Sequence, residues 1–181
     1  MLIDRDQSLV VLIDIQQRLA PEIAEHREVE NAAAWVLQVA LQLDVPVIAT
    51  EQYPGGLGHT VPLLAELLPA HSVIEKMHFS AFKEEAFRRK VAQLQRKQCI
   101  LLGTETHVCV LQTAMELLAA GYQVFLVADA LGSRHPDHKQ QALNRMQQAG
   151  AIIINREMLA FEWLECAGTD TFKRIHQGWI R

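Results

Sequence analysis

The chain has 181 residues, 50% hydrophobic and 21% charged, which are the values of an ordinary folded protein and exclude a disordered one. Lys and Arg number 17 against 21 Asp and Glu, a net charge of −4, so no basic surplus exists to hold a phosphate backbone and no nucleic-acid partner is expected. The length suits one domain over residues 1–181 with a core of its own.

The first β-branched run covers residues 8–14; it is too short for a signal core and is ended by Asp14. Apolar residues three and four apart over 29–43 predict a helix, and a second strand follows at 45–50 with Glu51 and Gln52 behind it. Three glycines between Tyr53 and His59 suit a mobile flap over a pocket or, equally, a solvent turn. A third strand at 72–75 leads into Lys76, and a helix is expected over 84–96. The fourth strand, 98–103, runs through Gly103-Thr-Glu-Thr-His-Val-Cys109 into a helix over 108–120 that Gly121 stops. A fifth strand at 123–129, a helix at 137–149 begun by His135-Pro136 and stopped by Gly150, and a sixth strand at 151–155 complete the pattern. Strand alternating with helix is the signature of a three-layer α/β/α fold with a mostly parallel central sheet of about six strands. No run of about 18 apolar residues occurs, so no membrane association is expected. Three cysteines form no disulfide framework and suit a reducing interior, which points to the cytoplasm.

Ligand crevices in such sheets lie beyond the carboxyl ends of the strands. There the sequence puts an acid, Asp14, a base, Lys76, and a thiol, Cys109. Taken singly, each has a plain structural reading: a turn-capping aspartate, an exposed lysine, a small buried cysteine. Together they make a kit for acyl transfer. Cys109 falls in the first turn of its helix, where free amides and the helix dipole lower a thiol pKa, and a nearby lysine pushes the same way, so an ionised sulfur is expected. Asp14 is then a general base, and turn amides can hold an oxyanion. Cys99, inside a strand, and Cys166 read as inert packing. His107 is a second candidate proton relay; His135 and His138 read as a solvated helix start, not a metal site.

The segment Leu102-Gly-Thr-Glu-Thr-His-Val-Cys-Val-Leu-Gln-Thr-Ala114 resembles the nucleophile turn of the isochorismatase-like cysteine hydrolases, a nicotinamidase-related superfamily. Val11-Leu-Ile-Asp-Ile-Gln16, Glu75-Lys-Met-His-Phe-Ser80 and Val127-Ala-Asp-Ala130 support the likeness, and Thr50-Glu-Gln-Tyr-Pro-Gly-Gly-Leu-Gly58 is similar to the isochorismatase domain-containing branch. The resemblance implies a triad of Asp14, Lys76 and Cys109, an oxyanion hole from the amides of Glu105 and Cys109, a cis peptide before Glu105, and a homo-oligomer. Gln16, Tyr53, Phe79, Phe82 and Thr104 are expected to line the substrate pocket, and 158–164 with Trp179 to suit a subunit contact or the core. Nicotinamidases carry an Asp-x-His metal pair where this chain has Glu51-Gln-Tyr53, so neither a metal nor any other cofactor is expected. Enzymes that cleave isochorismate itself do so at a vinyl ether without the cysteine. The sequence therefore favours C–N hydrolysis of a small amide through a thioester. Vinyl-ether or ribonucleic phosphodiester cleavage, or a non-catalytic binding role, are the alternatives.

Overall fold

A computed structural model describes residues 1–180. Six strands form one sheet: β1 (Ser8–Ile13), β2 (Val47–Gln52), β3 (Val73–Lys76), β4 (Gln98–Thr104), β5 (Gln123–Gly132) and β6 (Ile152–Ile154). Every pairing is parallel, in the order β3-β2-β1-β4-β5-β6. The helices are α1 (His26–Gln42), α2 (Pro54–Leu57), α3 (Pro62–Ala65), α4 (Glu85–Leu94), α5 (Leu111–Ala119), α6 (Pro136–Gln148), α7 (Arg156–Leu164) and α8 (Asp170–Ile175). None of them is long and apolar enough to cross a membrane, among the described residues.

Side chains alternate across a strand, so each inner strand feeds two cores. Val10, Leu12, Ile100 and Leu102 pack against Val36 and Leu37 of α1 and Trp163 of α7. Leu9, Val11, Ile13 and Leu101 point the other way, onto Phe87 of α4, Leu117 of α5 and Met146 of α6. Full burial of such a side chain is worth roughly 1.5–3 kcal/mol, so the two clusters supply most of the drive to fold. Three layers result.

Element boundaries differ from the sequence reading where pairing outweighs local pattern. β2 begins two residues late, after Pro46, and extends through Glu51 and Gln52 because they pair with Glu75 and Lys76. β5 continues past Asp129 through a bulge opposite Leu101 and Gly103 and ends beside Thr104. The helix expected over 108–120 is instead a π-helical turn, Thr106–Val110, that runs into α5. Such turns occur often at functional sites.

The chain order reverses between β1 and β4, the topological switch point of the sheet. Register runs from Ser8 opposite Gln98 to Ile13 opposite Gly103. Gly103 adopts φ +125°, and a Cβ there would lie 2.0 Å from the Ile13 carbonyl oxygen. Only glycine lets the two backbones close up at this point.

Candidate active site

Asp14 follows β1 directly, with φ +49°, and is wholly buried. Thr104, the last residue of β4, donates its hydroxyl to the Asp14 carbonyl at 2.7 Å, which ties the two strand ends together. Thr50 of β2 donates to Asp14 Oδ1 at 2.7 Å. Lys76 starts two strands away, and its long stem spans the end of β2 to bring Nζ within 2.7 Å of Asp14 Oδ2, both side chains at 0% exposure. Nζ also donates to Gln52 Oε1 at 2.6 Å and to the carbonyls of Phe79 and His78 at 3.0 and 3.3 Å. These acceptors satisfy an ammonium that burial would otherwise penalise heavily.

Cys109 lies close enough to Asp14 and Lys76 for both charges to act on its thiol. Thr113 holds its turn by donating to the Cys109 carbonyl at 2.7 Å, and the Thr113 hydroxyl in turn accepts the Ala81 amide at 3.0 Å. Asp14, Lys76 and Cys109 therefore meet at the switch point. The ionised sulfur expected from the sequence does not. Burial pushes the Cys109 thiol up to about 12, the Asp14 charge adds to that, and Lys76 only partly opposes it. Burial likewise raises the Asp14 carboxyl above its ordinary range, against the opposing pull of Lys76, Thr50 and Cys109. The lysine is already neutralised by the aspartate, so the thiol rests protonated beside a carboxylate. Asp14 Oδ2 has the ammonium as charge partner but no well-aligned hydrogen bond among the described residues, which leaves it capacity for the thiol proton. Cys99 is also pushed up to about 12, by burial in β4, and Cys166 is exposed.

The peptide between Thr104 and Glu105 is cis. The Glu105 carbonyl accepts the amides of Val108 and Val110, on either side of Cys109, at 3.0 and 3.2 Å. Arg134 grips the Glu105 carboxylate through Nε at 3.1 Å.

The expected pocket residues divide. Thr104 joins the Asp14 network. Tyr53 and Phe79 lie near the Lys76 side, 54% and 53% exposed, with the Tyr53 amide donating to the Lys76 carbonyl at 2.9 Å. Gln16 is fully buried and its amide is committed to scaffold: it donates to the Gln52 and Gly58 carbonyls and accepts the Gln52 amide. Phe82 is half-buried: its ring packs edge-on against Phe87 and Tyr122, at 6.5 and 6.2 Å, and adjoins the same apolar cluster as Cys109.

The glycine-rich stretch is the single helical turn α2, fastened at several points. Arg18 Nη1 donates to the Gly56 carbonyl at 2.9 Å, and Glu51 takes the Thr60 amide and hydroxyl on one oxygen and faces His59 Nδ1 at 2.9 Å with the other. The Tyr53 ring lies over Gly56, where a Cβ would come 2.4 Å from Cε1. Thr50, Thr113 and Arg134 escaped the sequence reading. Register opposite Ile13, the neighbour of Asp14, marks Thr50 once strand order is known, but nothing local marks the other two. The 158–164 stretch is α7, with Leu159, Ala160, Trp163 and Leu164 in the core and Met158 and Phe161 exposed.

A parallel α/β/α sheet with a buried Asp–Lys–Cys cluster at its switch point has a hydrolase-like architecture. Residues 8–158 match the isochorismatase domain model, and the chain belongs to the isochorismatase family. It is 38% identical over 175 residues to isochorismatase domain-containing protein 2A of Mus musculus, covering 95% of this chain and 82% of the relative. Among solved structures, the MAR1 ribonuclease of Caenorhabditis elegans superposes with a TM-score of 0.92 at 33% identity, covering 98% of this chain and 91% of that one. The YcaC gene product of Escherichia coli, described as an octameric hydrolase of unknown specificity, gives 0.92 at 26% identity, with 99% and 91% covered.

Proposed function

We propose that the protein is a metal-independent cysteine hydrolase, one domain over residues 1–181, that cleaves the C–N bond of a small amide. The observation that carries this reading is the wholly buried 2.7 Å Asp14–Lys76 pair, whose two charges both act on the Cys109 thiol. Substrate binding brings the carbonyl carbon to Sγ; the thiol proton passes to Asp14 as the C–S bond forms. The amides of Glu105 and Cys109 hold the resulting oxyanion. Collapse of the tetrahedral intermediate breaks the C–N bond, and Asp14 returns its proton to the departing amine. Water then attacks the thioester, giving a proton to Asp14 and a hydroxyl to the acyl carbon; the carboxylic acid leaves and the thiol regains its proton. Lys76 keeps Asp14 ionised between these transfers and offsets charge on the sulfur.

Cys109→Ala is expected to lower amide turnover by at least about 10³-fold, measured as ammonia or amine released from a panel of small amides. Activity near the wild-type rate would remove the thioester mechanism. A second reading, ribonucleic phosphodiester cleavage on the same scaffold, is favoured by the likeness to MAR1 ribonuclease; RNA cleavage that survives Cys109→Ala would support it. We also propose a cytoplasmic homo-oligomer; the likeness to octameric YcaC supports the assembly.

A further inference from the structure

The first turns of α6 pack against the outer side of the nucleophile turn. The His107 ring centroid lies 4.9 Å from that of His138, which is 4.9 Å from that of His135. His107 and His138, together with Gln141 and Arg145 further along α6, rim a cleft of about 240 Å³ whose floor is Leu111 and Ala142. No carboxylate lines it. Glu105 comes within 3.9 Å of His107 Nδ1 but is held by Arg134 at 3.1 Å, and Asp137, in the first turn of α6, is outside the lining. His107 Nδ1 faces Ser133 Oγ at 3.0 Å, so Nε2 is the ring's remaining polar atom. Along α6 the side-chain pairing is Gln140 with Asn144; His138, Gln141 and Arg145 have no side-chain partner among the described residues. Burial, and then repulsion from His138, Arg134 and His135, holds the His107 imidazole below its ordinary pKa against the pull of Glu105.

Unpartnered donors gathered around an apolar floor, in a chain that is acidic overall, have the composition of an anion site. No group of three His, Cys, Asp or Glu is placed to hold a metal ion among the described residues. We propose that this cleft binds a small organic anion: a carboxylate on a short apolar body, with the carboxylate against Arg145, His138 and His107 and the body on Leu111 and Ala142. Arginine presents paired donors that fit a carboxylate, and imidazole adds a third. The volume is below the roughly 300–1,000 Å³ of drug-sized sites, which restricts the occupant to about ten non-hydrogen atoms. The cleft is separate from the Asp14–Lys76–Cys109 cluster, and its occupancy does not depend on the reaction there.

Imidazole nitrogen and proton shifts of the full chain, followed while sodium benzoate or inorganic phosphate is added at constant ionic strength and about pH 6.5, test this. Benzoate is expected to move the His107 and His138 signals saturably, with a Kd of roughly 1 mM or tighter. Arg145→Gln, at an exposed position that the core does not use, is expected to weaken binding at least about tenfold with an unchanged unfolding midpoint. Non-saturating shifts, equal affinity in Arg145→Gln, or phosphate binding more tightly than benzoate would each overturn the assignment.

Discussion

Asp14 and Lys76 set a large desolvation cost against a close, wholly buried ion pair. Removing each ion from water costs several kcal/mol, recovered only through close pairing and through hydrogen bonds to the remaining polar atoms. Thr50 supports the carboxylate, while Gln52 and two carbonyls support the ammonium. Lys76→Met should therefore destabilise the fold by about 3–5 kcal/mol, since it leaves a buried carboxylate with little else to balance it. Asp14→Asn should cost less, because the lysine keeps three acceptors. The double variant should lose clearly less than the sum of the two in urea unfolding; additive losses would show that the pair is not coupled. Both residues were legible as polar residues at strand ends, and Cys109 as a thiol in the turn that follows β4. The ionisation of the sulfur was not. Its sign depends on burial and on whether the aspartate or the lysine governs the local charge, and both are properties of distance.

At the scale of elements, the site exists because β1 and β4 end side by side. Gly103 makes that approach possible, so Gly103→Ala should destabilise the protein by at least about 2–4 kcal/mol in denaturant unfolding. A loss below 0.5 kcal/mol, the scale of a neutral surface change, would mean that the strands can separate here without cost. The segment around α2 shows what local pattern misses. Its glycines suggested either a flap or a turn, but two of the residues that fasten it, Gln16 and Arg18, come from a distant stretch of chain, and Glu51 from the end of β2. Burial works against the Glu51 carboxylate, yet the Thr60 amide, His59 and the Thr60 hydroxyl hold its pKa below the ordinary 4.5. The His59 pKa is raised above its ordinary 6.5, chiefly by the hydrogen bond to Glu51. The lowered carboxyl contributes stability above its unfolded pKa, lost as pH falls through the folded value. The raised imidazole contributes below its own unfolded pKa, lost as pH rises through the folded value. The gap in unfolding midpoint between wild type and Glu51→Gln should thus be widest between about pH 4.5 and 6.5. A gap independent of pH would contradict the clamp.

For the whole molecule, alternating strand and helix patterns were enough to read three layers and a parallel sheet, because apolar runs on both faces require helices on both sides. Strand order was not legible, since it depends on which edges meet, and with it went the bulge in β5 and the longer β2. The partners of Phe82 were not legible either: its place near Lys76 in sequence does not say that its ring meets Phe87 and Tyr122. Trp179, considered for a subunit contact, is bound inside the chain, where its indole donates to Gln38 and its carbonyl accepts from Trp35. The most direct test of the account asks whether the thiol is controlled by its two charged neighbours. Iodoacetamide labelling of Cys109, mapped by peptide mass spectrometry across pH, reads this without any substrate. In the wild type the rate should keep rising past about pH 9, above the ordinary thiol pKa of about 8.5. In Asp14→Asn, where Lys76 acts unopposed, the rate should level off at lower pH. Coincident profiles, or a wild-type plateau near neutrality, would contradict the arrangement on which the mechanism rests.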